Sequence, residues 1–247
     1  MNVKDLYDNK ASGTAVAFKI IDFFSHNDID ENIIKDLKKY YFGIGLINYV
    51  CDSIISGRKK NLKEGIEKHD KMAIEHAKPL FNDSVIGTIS FSSQVLKAFI
   101  SNREKIKRVY ILESMPEREG IDFASLLVKN GIDVVLLHDA SIYELSLNVD
   151  FCIVGSDTVA YNGGLIHKNG TYPMALSMKY FKKPFYSITI SEKINRNFLE
   201  SSYKNIKNHD WNIDIPYINR FFDYTPPDLI DYYINENGFV KPSDVNI

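Results

Sequence analysis

From Ile33 onward the apolar residues recur as Ile33, Ile34, Leu37, Tyr40, Tyr41, Ile44, Ile47, Val50, Cys51, Ile54 and Ile55. Steps of three and four place them along one side of a helix. Gly57 is a natural stop, so the spacing predicts one helix across this whole stretch. Gly43 and Gly45 fall inside it and weaken it, and they are expected to admit a close neighbouring helix rather than to break the chain. A shorter helix is expected before it, from Thr14 to Phe24, and another after it, from Leu62 to Leu80. Residues 1–80 therefore read as a small N-terminal helical domain.

Beyond Pro79 the period changes. Short apolar runs at Val85–Ile89, Val109–Leu112, Val134–Leu137, Phe151–Val154 and Phe185–Ile190 alternate with amphipathic stretches around Gln94–Ile100, Phe123–Val128, Ile142–Leu147 and Pro173–Phe181. Continuous apolar runs suit strands covered on both faces, and helices between them suit crossovers in a parallel sheet. The expected fold class is α/β. The helical domain leads into a doubly wound, mainly parallel-sheet Rossmann-like domain over residues 81–247. The junction at Pro79–Asp83 is short, so the two units are expected to pack together. No internal repeat or low-complexity tract interrupts the chain.

Composition narrows the function classes. The 247 residues carry 30 Lys and Arg against 32 Asp and Glu, a formal charge of −2, which gives no global pull toward nucleic acid or an anionic membrane. No apolar run reaches the length of a membrane span, and the polar start MNVKDLYDNKASG does not resemble a signal peptide. The 2 cysteines, Cys51 and Cys152, lie far apart and offer neither a disulfide framework nor a zinc spacing. A soluble, cytoplasmic, folded protein with no metal and no cofactor is expected.

In an open parallel sheet, ligands sit beyond the carboxyl ends of the strands. The residues delivered there are Ser90, Ser92 and Ser93, then Glu113 to Pro116, then His138 and Asp139, then Gly155 to Asp157, and finally Ser191 and Glu192. Ser92, Ser93 and Asp139 read as helix caps. Asp157, beside Gly155 and straight after a buried strand, could exchange a proton with a substrate; a helix cap or a salt bridge to a neighbouring subunit is the alternative. Asn162-Gly163-Gly164 forms a tight turn. After it, Lys168 could pair with a phosphate, helped by free N–H groups where a helix begins at Thr171; from spacing alone Lys168 reads instead as a solvated turn residue. Motifs for a P-loop, a dinucleotide fold, a nucleophile elbow and a zinc protease are all missing.

The segment VDFCIVGSDTVAYNGGLIHKNGTYPMAL, continuing to KPFYSITISEK, together with FFDYTPPDLI and INENGFVKP, resembles the initiation factor 2B / sugar-phosphate isomerase family. That family joins regulatory subunits of initiation factor 2B to methylthioribose-1-phosphate and ribose-1,5-bisphosphate isomerases. The resemblance covers essentially the whole chain. It implies catalytic positions at Asp157 and at Ser90, where the isomerases carry a cysteine. It implies ligand-binding positions at Ser12, Gly13, Thr88, Met115, Asn162, His167 and Lys168. Several of these depart from the isomerase pattern: Ser90 is far less acidic than a thiol, Met115 stands where an arginine holds phosphate, Ser12 replaces another arginine, and His167 replaces an asparagine. Arg118 is the available replacement for the missing guanidinium. An anchored anion, an acid and a base must act together in sugar-phosphate isomerisation. The resemblance therefore implies a non-catalytic assembly or ligand-sensing subunit, a homodimer with a possible initiation-factor partner, whose vestigial cleft takes a nucleotide or sugar phosphate. The alternative is a divergent aldose–ketose isomerase acting on a phosphorylated pentose.

Overall fold

A computed structural model describes residues 2–8, 12–198, 202 and 212–245. The helical segments are α1 (Gly13–His26), α2 (Glu31–Tyr40), α3 (Gly45–Ile55) and α4 (Leu62–His76). Ser12 caps α1, its Oγ accepting from the Ala15 N–H at 3.3 Å, and the Asp30 carboxylate accepts from the Asn32 and Ile33 N–H groups at the start of α2. Such caps satisfy N–H groups that have no partner within the helix.

The single helix expected across Ile33 to Ile55 is two helices. The chain leaves α2 at Tyr41 and turns before α3, because tertiary hydrogen bonds replace the helical ladder there. Thr158 Oγ1 donates to the Gly43 carbonyl at 2.9 Å, and the Gly45 N–H donates to the Asp157 carbonyl at 2.8 Å. Gly45 does serve a close approach, but to a loop of the α/β part rather than to a helix. A Cβ there would lie 2.5 Å from the Lys193 carbonyl oxygen.

The expected alternation follows as β1 (Ser84–Thr88), α5 (Ser93–Ser101), β2 (Ile106–Leu112), α6 (Glu119–Lys129), β3 (Val134–Leu137), α7 (Ile142–Asn148) and β4 (Phe151–Val154). A small sheet then interrupts it, with β5 (Thr158–Ala160) and β6 (Leu165–Lys168), before α8 (Thr171–Tyr180) and β7 (Phe185–Ile188) resume. The remaining strands are β8 (Ile194–Asn195), β9 (Phe222–Thr225), β10 (Tyr232–Asn235) and β11 (Gly238–Val240). The main 7-stranded sheet has the order β11-β10-β7-β4-β1-β2-β3. Its neighbours are parallel except at the β10–β11 hairpin. The second sheet has 4 strands in the order β8-β5-β6-β9. None of β8 to β11 nor the small sheet was anticipated, because these strands are short and lack long apolar runs.

One apolar cluster joins the helices to the sheet. It runs from Leu6, Ile20 and Phe24 through Leu46 and Val50 to Phe99, Ile111, Phe123, Ile188 and Ile234. On the other face, Leu145, Val154, Met174, Met178 and Tyr233 form a second cluster under α7 and α8. Both faces of the sheet's centre are thus covered, as its continuous apolar strands require, while the edge strand β3 leaves Leu136 exposed. Among the described residues no helix is long and apolar enough to cross a membrane.

Candidate functional site

The segments leaving β1, β2, β4 and β7 meet the start of α1 and the ends of β6 and β9 around a cavity of about 590 Å³. Its lining includes Ser12, Gly13, Ser90, Glu119, Gly155, Asp157, His167, Lys168, Lys193, Phe221 and Phe222, with Glu117 and Asp122 as well. Gly155 makes the floor possible, since a Cβ there would lie 2.5 Å from Ser92 Oγ. Ser92 itself caps α5, accepting from the Val95 N–H at 3.4 Å.

Lys168 is the last residue of β6 and only 2% exposed, which overturns its reading as a solvated turn residue. Its ammonium lies 3.0 and 3.1 Å from the two oxygens of Glu119 and 5.0 Å from the centre of the Phe221 ring. Ser90 donates its hydroxyl to the same Glu119 carboxylate at 2.9 Å. The Ser90 backbone is left-handed, φ +72°, a conformation few non-glycine residues adopt. The Ser114 hydroxyl oxygen holds it there by accepting the Ser90 N–H at 2.8 Å.

Asp157 and His167 both line the cavity. The Asp157 carboxylate takes no hydrogen bond from the described residues, and burial pushes its pKa up to about 6, against the pull of Lys193 and Lys168. His167 is 3% exposed. Burial, with Lys193 and Lys168 nearby, pushes its pKa down to about 3, so the imidazole is neutral. The Thr171 hydroxyl donates to the Lys168 carbonyl at 2.6 Å, and its oxygen lies 3.0 Å from His167 Nδ1. With the Thr171 proton committed, Nδ1 must be the His167 donor, which leaves Nε2 as a lone-pair acceptor. Lys193 donates to Gln94 Oε1 at 2.7 Å and to the Ser156 carbonyl at 2.9 Å. Burial lowers its pKa, and Asp157 is the largest influence holding it up.

The start of α8 is not open to an anion. The Asp223 carboxylate accepts from the Gly170 N–H at 2.8 Å and the Tyr172 N–H at 2.9 Å, and so occupies the place expected for a ligand. Asp139 does not cap its own helix; its carboxylate accepts the N–H groups of Ser114 and Met115 at 2.8 and 2.7 Å. That clamp fixes the loop after β2. Met115 points outward, 46% exposed, and does not line the cavity. Arg118 lies beside Glu113, Nε to Oε2 3.5 Å, and supplies no guanidinium to the cavity. Thr88 is buried at the end of β1. Asn162 holds its own turn, accepting from the Gly164 N–H and donating to the Tyr224 hydroxyl at 2.7 Å. Neither Thr88 nor Asn162 lines the cavity.

Sequence reasoning missed Glu119, Lys193 and the Phe221-Phe222 pair. Lys193 directly follows the Ser191-Glu192 strand end that was singled out, and Phe222 precedes the Asp223 that anchors α8. Glu119 gave no such signal, because its partners Ser90 and Lys168 reach it only through the fold. Among the described residues no cluster of His, Cys, Asp or Glu is arranged to hold a metal ion.

A family model described as the Initiation factor 2 subunit family matches residues 25–242. Translation initiation factor eIF2B subunit alpha of Dictyostelium discoideum is 28% identical over 262 residues, taking in 87% of this chain and 80% of that protein. Ribose 1,5-bisphosphate isomerase of Archaeoglobus fulgidus is 32% identical over 162 residues, 61% of this chain and 52% of that protein. The solved structure of the Pyrococcus horikoshii translation initiation factor eIF-2B covers 97% of this chain and 95% of its own, with a TM-score of 0.83 at 22% identity. That last likeness is one of fold.

Proposed function

The chain belongs to the Initiation factor 2 subunit family, and from that premise we propose that it is a non-catalytic subunit of the initiation factor 2B type. It acts in assembly or ligand sensing in the cytoplasm, and its cavity derives from a sugar-phosphate or nucleotide site. The observation that carries this reading is the Ser90–Glu119–Lys168 group. The hydroxyl at the isomerase cysteine position and the cavity's most buried ammonium are both committed to one carboxylate. An isomerase needs that ammonium for the substrate anion and an acid at that position. No thiol substitutes for it, since Cys51 and Cys152 are buried away from the cavity, and burial pushes the Cys51 pKa up to about 12.

Self-association is part of the same proposal. Helix α8 carries apolar residues on both sides: Met174 and Met178 face the core, while Tyr172, Leu176 and Tyr180 are exposed beside Lys179. Beside it, α7 exposes Tyr143 and Leu147, and the Tyr143 ring lies tilted against Phe181 with ring centres 5.8 Å apart. A group of exposed apolar side chains on two neighbouring helices asks for cover. We propose that a second copy covers it.

Tagged protein expressed in its own host is expected to copurify with initiation factor 2 or its exchange-factor subunits. Recovery only as an isolated oligomer that converts a sugar phosphate would overturn the proposal. A second reading, a divergent aldose–ketose isomerase acting on a phosphorylated pentose, draws on Asp157 and His167. They offer an unpartnered carboxylate and a neutral ring acceptor in one cavity, a workable pair for moving protons. That reading requires turnover that Asp157→Asn abolishes.

A further inference from the structure

Lys168 and Lys193 both line the cavity, yet their nitrogens are held in opposite ways. The Lys168 ammonium sits on the Glu119 carboxylate, which fixes its charge. Lys193 Nζ donates instead to two neutral oxygens, Gln94 Oε1 at 2.7 Å and the Ser156 carbonyl at 2.9 Å, and among the described residues no ion pair reaches it. A neutral amine carries two N–H hydrogens and one lone pair. The two acceptors take up both hydrogens, so the deprotonated amine is satisfied and its lone pair is left over. The charged form would keep a third hydrogen without a partner on a residue only 8% exposed. Burial is the largest influence against its charge and Lys97 adds to it, while Asp157, Asp70 and Glu192 favour the charge. A desolvated lysine of this kind is an amine nucleophile toward a carbonyl carbon. Asp157 shares the cavity, and burial raises its carboxyl group to where it can give and take a proton near neutral pH. Ser12, Thr14, Ser92 and Ser93 bring hydroxyl groups to the same lining, which suits a ligand rich in hydroxyls.

We propose that the cavity captures an aldehyde, the open-chain form of an aldose, as a reversible imine on Lys193, with Asp157 moving the protons. The Nζ lone pair forms a bond to the aldehyde carbon, and the C=O π pair moves to oxygen, which takes the proton that nitrogen gives up. Asp157 then protonates that hydroxyl, which leaves as water as the C=N bond forms, and the last proton on nitrogen returns to Asp157. Amine and aldehyde thus give imine and water with no change of oxidation state, and water reverses the step. The inference rests on reading the cavity as a ligand-sensing site, in which a reversible bond holds the ligand without turning it over.

The test treats the whole chain near neutral pH with sodium cyanoborohydride, which reduces an imine to a stable secondary amine, together with ribose 5-phosphate or, separately, glyceraldehyde. Peptide mapping by mass spectrometry then reads each lysine. With at least one probe, Lys193 is expected to be labelled about tenfold faster or more than the exposed Lys60. Burial without activation gives the opposite order. Labelling of Lys193 no faster than Lys60, or labelling of Lys168 in its place, would overturn the proposal. Asp157→Asn is expected to slow labelling of Lys193 about tenfold while leaving Lys60 unchanged, and an unslowed rate would overturn the role given to Asp157. The unaltered protein decides the matter even where Asp157→Asn fails to fold, which a thermal melt detects. Formation of a ketose phosphate from ribose 5-phosphate, read by NMR without the reductant, would instead defeat the non-catalytic reading.

Discussion

Asp157 has a measurable signature in stability. Burial raises its pKa in the folded chain to about 6 from an ordinary value near 3.8, so between those values the folded protein binds a proton that the unfolded chain has released. Its contribution to stability is therefore fully present at low pH and lost as pH rises through about 6. Asp157→Asn removes the cost of the buried charge. The variant is expected to be more stable than the parent at pH 8, by about 1–3 kcal/mol, with the gap vanishing near pH 4. Paired urea melts at the two pH values check this, and a variant less stable at pH 8 would contradict the burial argument. Asp157 could be singled out in the sequence as a carboxylate straight after a buried strand, whereas spacing alone made Lys168 a solvated turn residue, because its burial comes from the strand it ends. Glu119 could not be singled out, because its chemistry is made by Ser90 and Lys168 arriving from distant strands.

Periodicity showed where helices and buried strands run, but not where tertiary contacts cut them. The turn between α2 and α3 sits inside an unbroken apolar stripe; the carbonyl of Gly43 and the N–H of Gly45 are drawn off to Thr158 and Asp157. Gly45→Ala places a methyl against the Lys193 backbone and is expected to destabilise the fold by about 1–3 kcal/mol, as overpacking does. Chemical denaturation measures it, and a neutral effect would show that the loop after β7 yields freely. The small sheet escaped sequence reading because β5 and β8 are too short to show alternation. The outer side of α8 belongs to this scale as well. Tyr180 is 81% exposed, and on the proposed self-association Tyr180→Glu together with Leu176→Glu is expected to convert a dimer to a monomer in sedimentation. A parent that sediments as a monomer at micromolar concentration would remove the dimer from the proposal.

At the scale of the whole molecule, the fold class was readable because βα alternation and continuous apolar strands admit few arrangements. The strand order was not readable, since nothing local specifies that β1 lies between β2 and β4. The helical segments and the sheet share one apolar cluster, and the same packing brings Ser12 and Gly13 to the cavity rim. The cavity thus draws on the N-terminal helices as well as on the sheet, with Lys168 paired to Glu119 within the fold. The most direct measurement is an NMR assay for aldose-to-ketose conversion. Purified protein is incubated with ribose 1,5-bisphosphate and, separately, with methylthioribose 1-phosphate. No conversion above the protein-free blank is the expected result. Conversion that disappears in Asp157→Asn would contradict the non-catalytic reading and make this chain an isomerase.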